Sequence, residues 1–246
     1  MLKVSEAIVL RTYPLREADL LVTLFTREEG KIRGVARSAK KSKRRFGGAL
    51  EPLTQVRAYY DQKTGQELVR LDSCDVIESP LMHAIDYERT IALSYVAEVL
   101  DGLLPDHEAN DDVFRLTVSV LPHLENGGIW MPLTYFDLWI TRLMGLLPEL
   151  SACLSCGAEL NGSGRVFYHA LADGLMCATH KRLASSEMSL ASRQMAAEMF
   201  RAPVDAFGTE PWKRQRGADL RKFLAQCIER HIEGKLVTSI ALAKLD

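Results

Sequence analysis

Three cysteines and one histidine have the residue types and spacing for metal chemistry. Cys153-Leu-Ser-Cys156 and Cys177-Ala-Thr-His180 form two short pairs, twenty residues apart. Thiolate and imidazole are the donors that Zn²⁺ prefers in a tetrahedron, and a two-residue gap lets each pair turn back around one ion. The C-x₂-C…C-x₂-H layout therefore predicts one structural Zn²⁺ on Cys153, Cys156, Cys177 and His180. Four protein donors leave no open position, so function has to be sought elsewhere in the chain. Gly157 to Gly164 reads as a loop, Val166-Phe-Tyr-His169 as a short strand and Asp173-Gly174 as a turn. Pair, hairpin, pair is the layout of a zinc ribbon. His169 competes as a ligand but lies in the strand-like run, outside either pair. The rival readings are a relict site, cysteines that are merely buried, and a redox C-x-x-C. The redox motif needs a strand–helix context that the loop after Cys156 does not offer.

The second feature is electrostatic. Lys31, Arg33, Arg37, Lys40, Lys41, Lys43, Arg44 and Arg45 fall within fifteen positions that contain no acid. The stretch Ser38 to Arg45 is polar and leads into Phe46-Gly-Gly48, so it is expected to be a flexible loop. Lys and Arg neutralise phosphates and release condensed counterions, which gives affinity without sequence preference. All eight are therefore candidate nucleic-acid contacts. The bland alternative is a solvated loop that binds nothing specific. Tyr13, Phe25, Phe46, Tyr59 and Tyr60 are candidate stacking platforms, although most aromatics in a small barrel belong to its core.

These residues need elements to position them. Apolar and β-branched runs recur at Ala7–Leu10, Leu20–Phe25, Ile32–Ala36, Val56–Tyr60 and Leu68–Leu71, with turn formers at Glu28-Glu-Gly30 and Thr64-Gly65. Five short strands in about 75 residues predict an N-terminal five-stranded OB-fold β-barrel, residues 1–79. Ser79-Pro80 then reads as a helix start. Ile85, Ile91, Leu93, Val96, Val99, Leu100 and Leu103 follow helical spacing up to Pro105. Asn110-Asp-Asp112 caps a second helix through Phe114, Leu116, Val120 and Leu121. After Gly127-Gly128 a third helix, about 132–147 and apolar all round, reads as the buried centre of a bundle ended by Pro148. Two more helices are expected at about 189–201 and 215–233. The fold class is thus α+β multidomain: the barrel, then an α-helical domain (80–246) with a zinc-ribbon-like insertion at about 151–183.

Composition sets outer bounds. With 47% hydrophobic and 26% charged residues the chain is ordinary for a soluble globular protein. No apolar run approaches ~18 residues, so no membrane span is expected. Met-Leu-Lys-Val-Ser-Glu lacks a signal-peptide core. Five cysteines, an odd number, fit a reducing cytoplasm better than a disulfide framework. Cys74 and Cys227 read as core packing. Residues 1–80 hold 15 Lys/Arg against 11 Asp/Glu, and the remainder 16 against 21. Charge segregated in this way suggests a division of labour between domains. His83, His107, His123 and His231 are scattered, and no nucleotide cradle or hydrolase motif is present. No enzyme activity is expected.

Ala7-Ile-Val-Leu-Arg-Thr12, Glu17-Ala-Asp19 and Thr23 to Ala36 carry a resemblance: they follow the opening of the bacterial RecO family of recombination mediators. The basic stretch into Gly48-Ala-Leu-Glu-Pro52, and Phe136-Asp-Leu138 through Gly145 and Pro148 to Cys153-Leu-Ser-Cys-Gly157, are also typical. The resemblance implies binding to single- and double-stranded DNA and annealing of complementary strands. It further implies action with RecR to load RecA onto DNA covered by single-strand-binding protein. Contact with the acidic, apolar C-terminal tail of that protein, through the helical domain, is implied as well. Many zinc-bearing members carry a fourth cysteine where this chain has His180, and often more Lys and Arg around Ser239, where Thr238 and Ile240 stand here. The rival functions are an RNA- or protein-binding accessory factor in transcription or translation, and a thiol enzyme using Cys153 and Cys156.

Overall fold

The computed structural model describes residues 2–62, 65–82, 86–124, 128–160, 162, 164–208 and 211–245. Thr64, His83, Ile85, Gly127, Asn161 and Ser163, which figure in the expectations above, lie outside the described residues. The chain forms two compact units, 1–125 with 236–245, and 126–235. This division does not fall at residue 79, where the strands give way to helices.

In the first unit, strands Leu2–Pro14 (β1), Leu20–Thr26 (β2), Gly30–Ala36 (β3), Gln55–Asp61 (β4) and Leu68–Glu78 (β5) close a barrel in the order β1-β2-β3-β5-β4. All neighbours are antiparallel except β3 and β5, and β4 returns to β1. This is the expected OB-fold barrel. β1 is long because it pairs with β2 along its C-terminal half and with β4 along its N-terminal half, through a bulge between Val9 and Arg11. Alternation sends Ala7, Val9, Val22, Leu24, Ile32, Val56, Ala58 and Tyr60 into the barrel core. Ile8, Leu10 and Phe25 are equally buried yet lie outside that core cluster.

Their cover is helical. Helix Tyr87–Leu103 (α2) packs on β1, and Phe114 of helix Asp111–Val120 (α3) meets Phe25 at 5.5 Å between ring centroids. α2 starts later than expected. The Ser79 hydroxyl is engaged with Thr54 at 3.2 Å, Pro80 opens only a 3-10 turn, and Asp86 caps the helix by accepting from the Arg89 amide at 2.7 Å. Asn110 caps α3 as expected, accepting from Val113 at 3.0 Å.

The segment between α2 and α3 approaches the β2–β3 turn so closely that a Cβ on Gly30 would lie 2.0 Å from the Glu108 carbonyl oxygen. Gly30 also has φ +69°, a conformation that glycine alone adopts at no steric cost. A short helix not anticipated from sequence, Val237–Leu242 (α7), returns to pack on α2. Glu98 accepts from the amides of Val237 (2.8 Å) and Thr238 (2.9 Å) and from the Thr238 hydroxyl. It thereby satisfies orphan donors at the start of α7.

In the second unit, helix Trp130–Leu143 (α4) has eleven of fourteen residues buried, which makes it the expected bundle centre. It ends at Leu143, before the expected Leu147, because Gly145 turns the chain with φ +70°. Helices Leu190–Met199 (α5) and Ala218–His231 (α6) fall within the two expected ranges, and α6 packs on both α4 and α5. Strands Val166–Tyr168 (β6), Met176–Cys177 (β7) and Ser186–Met188 (β8) make a small sheet in the order β7-β6-β8. Tyr168 joins it to α6 through an edge-on contact with Phe223.

Burial opposes ionisation of Glu98, but the Thr238 hydroxyl, the amides of Thr238 and Val237, and the charge of Arg11 together hold its carboxyl below the usual range. A depressed carboxyl stabilises the fold above the ordinary carboxylate value and loses that contribution as pH falls through the folded one. Glu98→Ala is expected to cost about 1–3 kcal/mol. Residues 237–242 should lose amide protection before the barrel does, as hydrogen exchange at neutral pH would reveal.

Candidate nucleic-acid interface and metal centre

The eight cations expected to bind phosphate occupy three different settings. Lys31 and Arg33 lie on β3 and project toward the α2–α3 segment. The Lys31 ammonium donates to the Asp101 carbonyl at 2.7 Å and pairs with Asp106 at 3.4 Å. Arg33 pairs with Asp106 at 3.5 Å. Two cations outside the basic run behave alike, Arg11 with Asp101 (2.7 Å) and Arg27 with Asp111 (2.6 Å). This flank of the barrel is charge-neutralised.

Residues 37–47 are not the flexible loop expected. They form a 3-10 turn, Ala39–Lys41, and a one-turn helix, Lys43–Phe46 (α1), which buries Phe46 in the barrel core. Arg45 holds this segment together. Its guanidinium donates to the Arg37 carbonyl (2.7 Å), the Ser42 hydroxyl (3.2 Å) and the Asp72 carbonyl (3.4 Å), and it lies over the Phe46 ring. Asp19 fixes the other end by accepting from the Ser38 amide at 2.8 Å, while the Lys40 amide donates to the Ala18 carbonyl at 3.2 Å. Arg45 therefore positions neighbouring cations.

Arg37, Lys40, Lys43 and Arg44 are exposed and have no ion-pair partner among the described residues. Lys41 reaches only the exposed Glu17, at 3.9 Å. The outcome is a hydrogen-bonded rim of cations, with Arg16 exposed on the turn that carries Asp19. Sequence reasoning missed Asp19 and Arg16. An acceptor beside a turn was the available signal for Asp19.

Of the candidate aromatics, Phe25, Phe46 and Tyr60 are buried. The Tyr60 hydroxyl donates to Glu29 at 3.1 Å, and burial with the nearby carboxylates pushes its pKa up. Tyr13 is 48% exposed, and its hydroxyl accepts from Arg11. Tyr59 is partly buried.

The four metal-type residues converge in the second unit. The donor atoms of Cys153, Cys156, Cys177 and His180 all lie within 4.8 Å of one another. His180 Nδ1 is 3.3 Å from Cys177 Sγ and 4.0 Å from Cys153 Sγ. A tetrahedron with ~2.3 Å metal–sulfur bonds has edges of about 3.8 Å, so these spacings fit one ion. Each pair sits on a tight turn. The Gly157 amide donates to the Cys153 carbonyl (2.8 Å), and the His180 amide to the Cys177 carbonyl (3.1 Å). The Leu154 amide donates to the Leu175 carbonyl at 2.8 Å, which brings the strand leading into the second turn to the first, and the Cys177 amide donates to Cys153 Sγ at 3.4 Å. Burial opposes ionisation at Cys153, yet amides of Cys177, Cys156 and Ser155 outweigh it and lower the thiol. These donors suit a thiolate-bound cation.

His169 is elsewhere engaged, accepting from the Leu171 amide at 3.1 Å. Cys74 and Cys227 are buried as expected, and burial pushes their thiols up to about 12 and about 11.

These features define a class: an OB-barrel protein with an exposed cationic rim, a helical second half and a Cys₃His cluster able to hold a metal ion. Residues 1–80 match the family described as Recombination protein O N terminal, and residues 85–239 the one described as Recombination protein O C terminal. The chain belongs to this RecO family of DNA repair proteins. It is 64% identical over 246 residues to a DNA repair protein RecO of Koribacter versatilis (strain Ellin345), with all of both chains covered. It is 35% identical over 232 residues to that of Anaeromyxobacter sp. (strain K), covering 93% of this chain and 91% of the relative. The corresponding protein of Geobacter sulfurreducens is 39% identical over 155 residues, 63% of each chain. Among the described residues, no helix is long and apolar enough to cross a membrane.

His180→Ala should weaken cobalt or zinc binding at least tenfold in a chelator competition. His180→Cys should retain the metal, and His169→Ala should leave affinity unchanged. Equal loss in His180→Ala and His169→Ala would count against His180 as the ligand.

Proposed function

We propose that the protein is a non-enzymatic DNA-binding recombination mediator. The barrel, residues 1–79, binds single- and double-stranded DNA and anneals complementary strands. With RecR, the protein helps load RecA onto DNA covered by single-strand-binding protein, in the cytoplasm. The observation that carries this reading is the rim of Arg37, Lys40, Lys43 and Arg44, held by hydrogen bonds and without acidic partners among the described residues. Annealing requires no bond chemistry. Neutralised phosphates and two strands held close suffice.

One Zn²⁺ on Cys153, Cys156, Cys177 and His180 would be structural, since four protein donors leave no open position. It would fasten the segment after α4 to the small sheet that packs on α6. That assignment also argues against a thiol enzyme, because all three thiols would be ligands.

A groove of about 560 Å³ in the second unit suits the acidic, apolar tail of single-strand-binding protein. Leu147, Pro148, Leu150 and Phe200 supply apolar contact and Arg142 supplies charge, while Glu149 also lines the groove and Arg193 donates to the carbonyls of Leu160, Gly162 and Gly164.

If four rim cations contact single strands, the slope of log affinity against log salt is about −3. Replacing Lys40, Lys43 and Arg44 together with Gln should make it shallower by about 2. Replacing Lys31 and Arg33 should leave the slope alone and lower stability. An unchanged slope in the triple variant would remove the rim from the interface. Failure of the wild type to anneal two labelled oligonucleotides would favour the RNA- or protein-binding accessory factor.

A further inference from the structure

The second unit carries its own cationic turn, at Pro211-Trp-Lys-Arg-Gln-Arg-Gly217. Between Glu210 and Asp219 the sequence holds Lys213, Arg214 and Arg216 and no acid.

The turn is built rather than loose. Arg221 reaches back from α6, donating to the Arg216 carbonyl at 2.8 Å, to the Thr134 hydroxyl at 2.9 Å and to the Arg214 carbonyl. Its guanidinium also lies 4.8 Å from the Trp130 ring centroid. Gly217, at φ +72°, closes the turn where a Cβ would lie 2.4 Å from the Met195 methyl group. The Arg216 guanidinium lies 3.8 Å from the centroid of the buried Trp212 ring, which restrains it before any ligand arrives.

Lys213 and Arg216 are exposed and have no ion-pair partner among the described residues. The nearby carboxylate of Asp219 is turned inward. It accepts from the Ser189 amide (2.6 Å), the Leu220 amide (3.0 Å) and the Ser192 hydroxyl. Beside the turn lies a cleft of about 580 Å³ around Arg216, its wall mixed: Gln194, Glu198, Gln215 and Asp219 alternate with Met195 and Ala218. Glu198 marks the side that an anion avoids.

We infer that this turn is a second phosphate-binding site, which grips a nucleic-acid backbone independently of the barrel rim. The inference rests on the DNA-binding reading above and deepens it. A repeating phosphate backbone needs only fixed cations. Annealing also gains from a second grip, because two polyanions must be neutralised at once.

The test uses the full-length protein and a single-stranded oligonucleotide, with the rim triple variant as background. Residual binding by that variant should retain a salt slope of about −1 to −2. Arg37 of the rim accounts for about −0.7 of this, and adding Lys213→Gln and Arg216→Gln should make the remaining slope shallower by about 1. On the wild-type background the same pair should slow strand annealing at least fivefold, with an unchanged unfolding midpoint. Arg216→Lys, which keeps the charge and loses the stacking, should rescue the single variant Arg216→Gln. Residual binding and annealing unaffected by the pair would overturn this site while leaving the mediator reading intact. A wild-type protein that binds no DNA would overturn both.

Discussion

Ile8, Leu10 and Phe25 stand on the outside of a barrel, yet water does not reach them. A five-stranded barrel fills its interior with one face of each strand, and the other face ordinarily meets solvent. Here β1 is apolar on both faces from Ala7 to Leu10, so its outer side must be covered. Each such side chain contributes roughly 1.5–3 kcal/mol when removed from water, a large share of a typical domain's net stability. α2 and α3 supply the cover, and α7 returns along the chain to brace α2. The compact unit therefore extends well beyond the five strands.

That cover arranges the charges. Bringing α2 and the α2–α3 segment onto the barrel places Asp101, Asp106 and Asp111 against Arg11, Lys31, Arg33 and Arg27. Apart from those of the largely buried Lys31, which also bonds the Asp101 carbonyl, these exposed ion pairs add little to stability, but they offset positive charge on that flank. The rim at residues 37–44 meets none of these three acids; Glu17 faces Lys41 and Asp19 the Ser38 amide, while Arg37, Lys40, Lys43 and Arg44 keep no ion-pair partner among the described residues. At physiological ionic strength fields decay within about 8 Å. On the proposed DNA-binding reading, a phosphate backbone would meet one attractive edge rather than a uniformly basic barrel.

Most elements were legible because they rest on local patterns. Apolar and β-branched runs between turn formers placed the five strands, helical spacing placed α2, and the Asn110 cap placed α3. What eluded the sequence was set by partners distant along the chain. Ser79 has the chemistry of a cap, but Thr54 engages its hydroxyl, and the helix waits for Asp86. α7 has six residues and no capping side chain of its own, and its start is defined by Glu98, about 140 positions earlier. The run Ala7–Leu10 did carry a signal. Four consecutive buried residues in a strand require both faces to be covered.

The candidate sites divide along the same line. Two-residue gaps within each pair are local, and the four donors converge as their spacing implied. Charge density at 31–45 is also local, but the use of each charge is not. Lys31 and Arg33 alternate outward on β3 toward acids seventy positions away, and Arg45 folds inward onto three acceptors. An Arg within a basic run has five donors in a fixed fork. Nearby carbonyls can therefore recruit it as a brace, and the cations left to meet a ligand are the ones it steadies. Arg221 repeats the device in the second unit, bonding the carbonyls of Arg214 and Arg216 so that the turn beneath Lys213 is fixed. In both places a count of charges overstates the number available to phosphate. What it understates is how far their positions are set in advance, which lowers the ordering entropy that binding would otherwise cost.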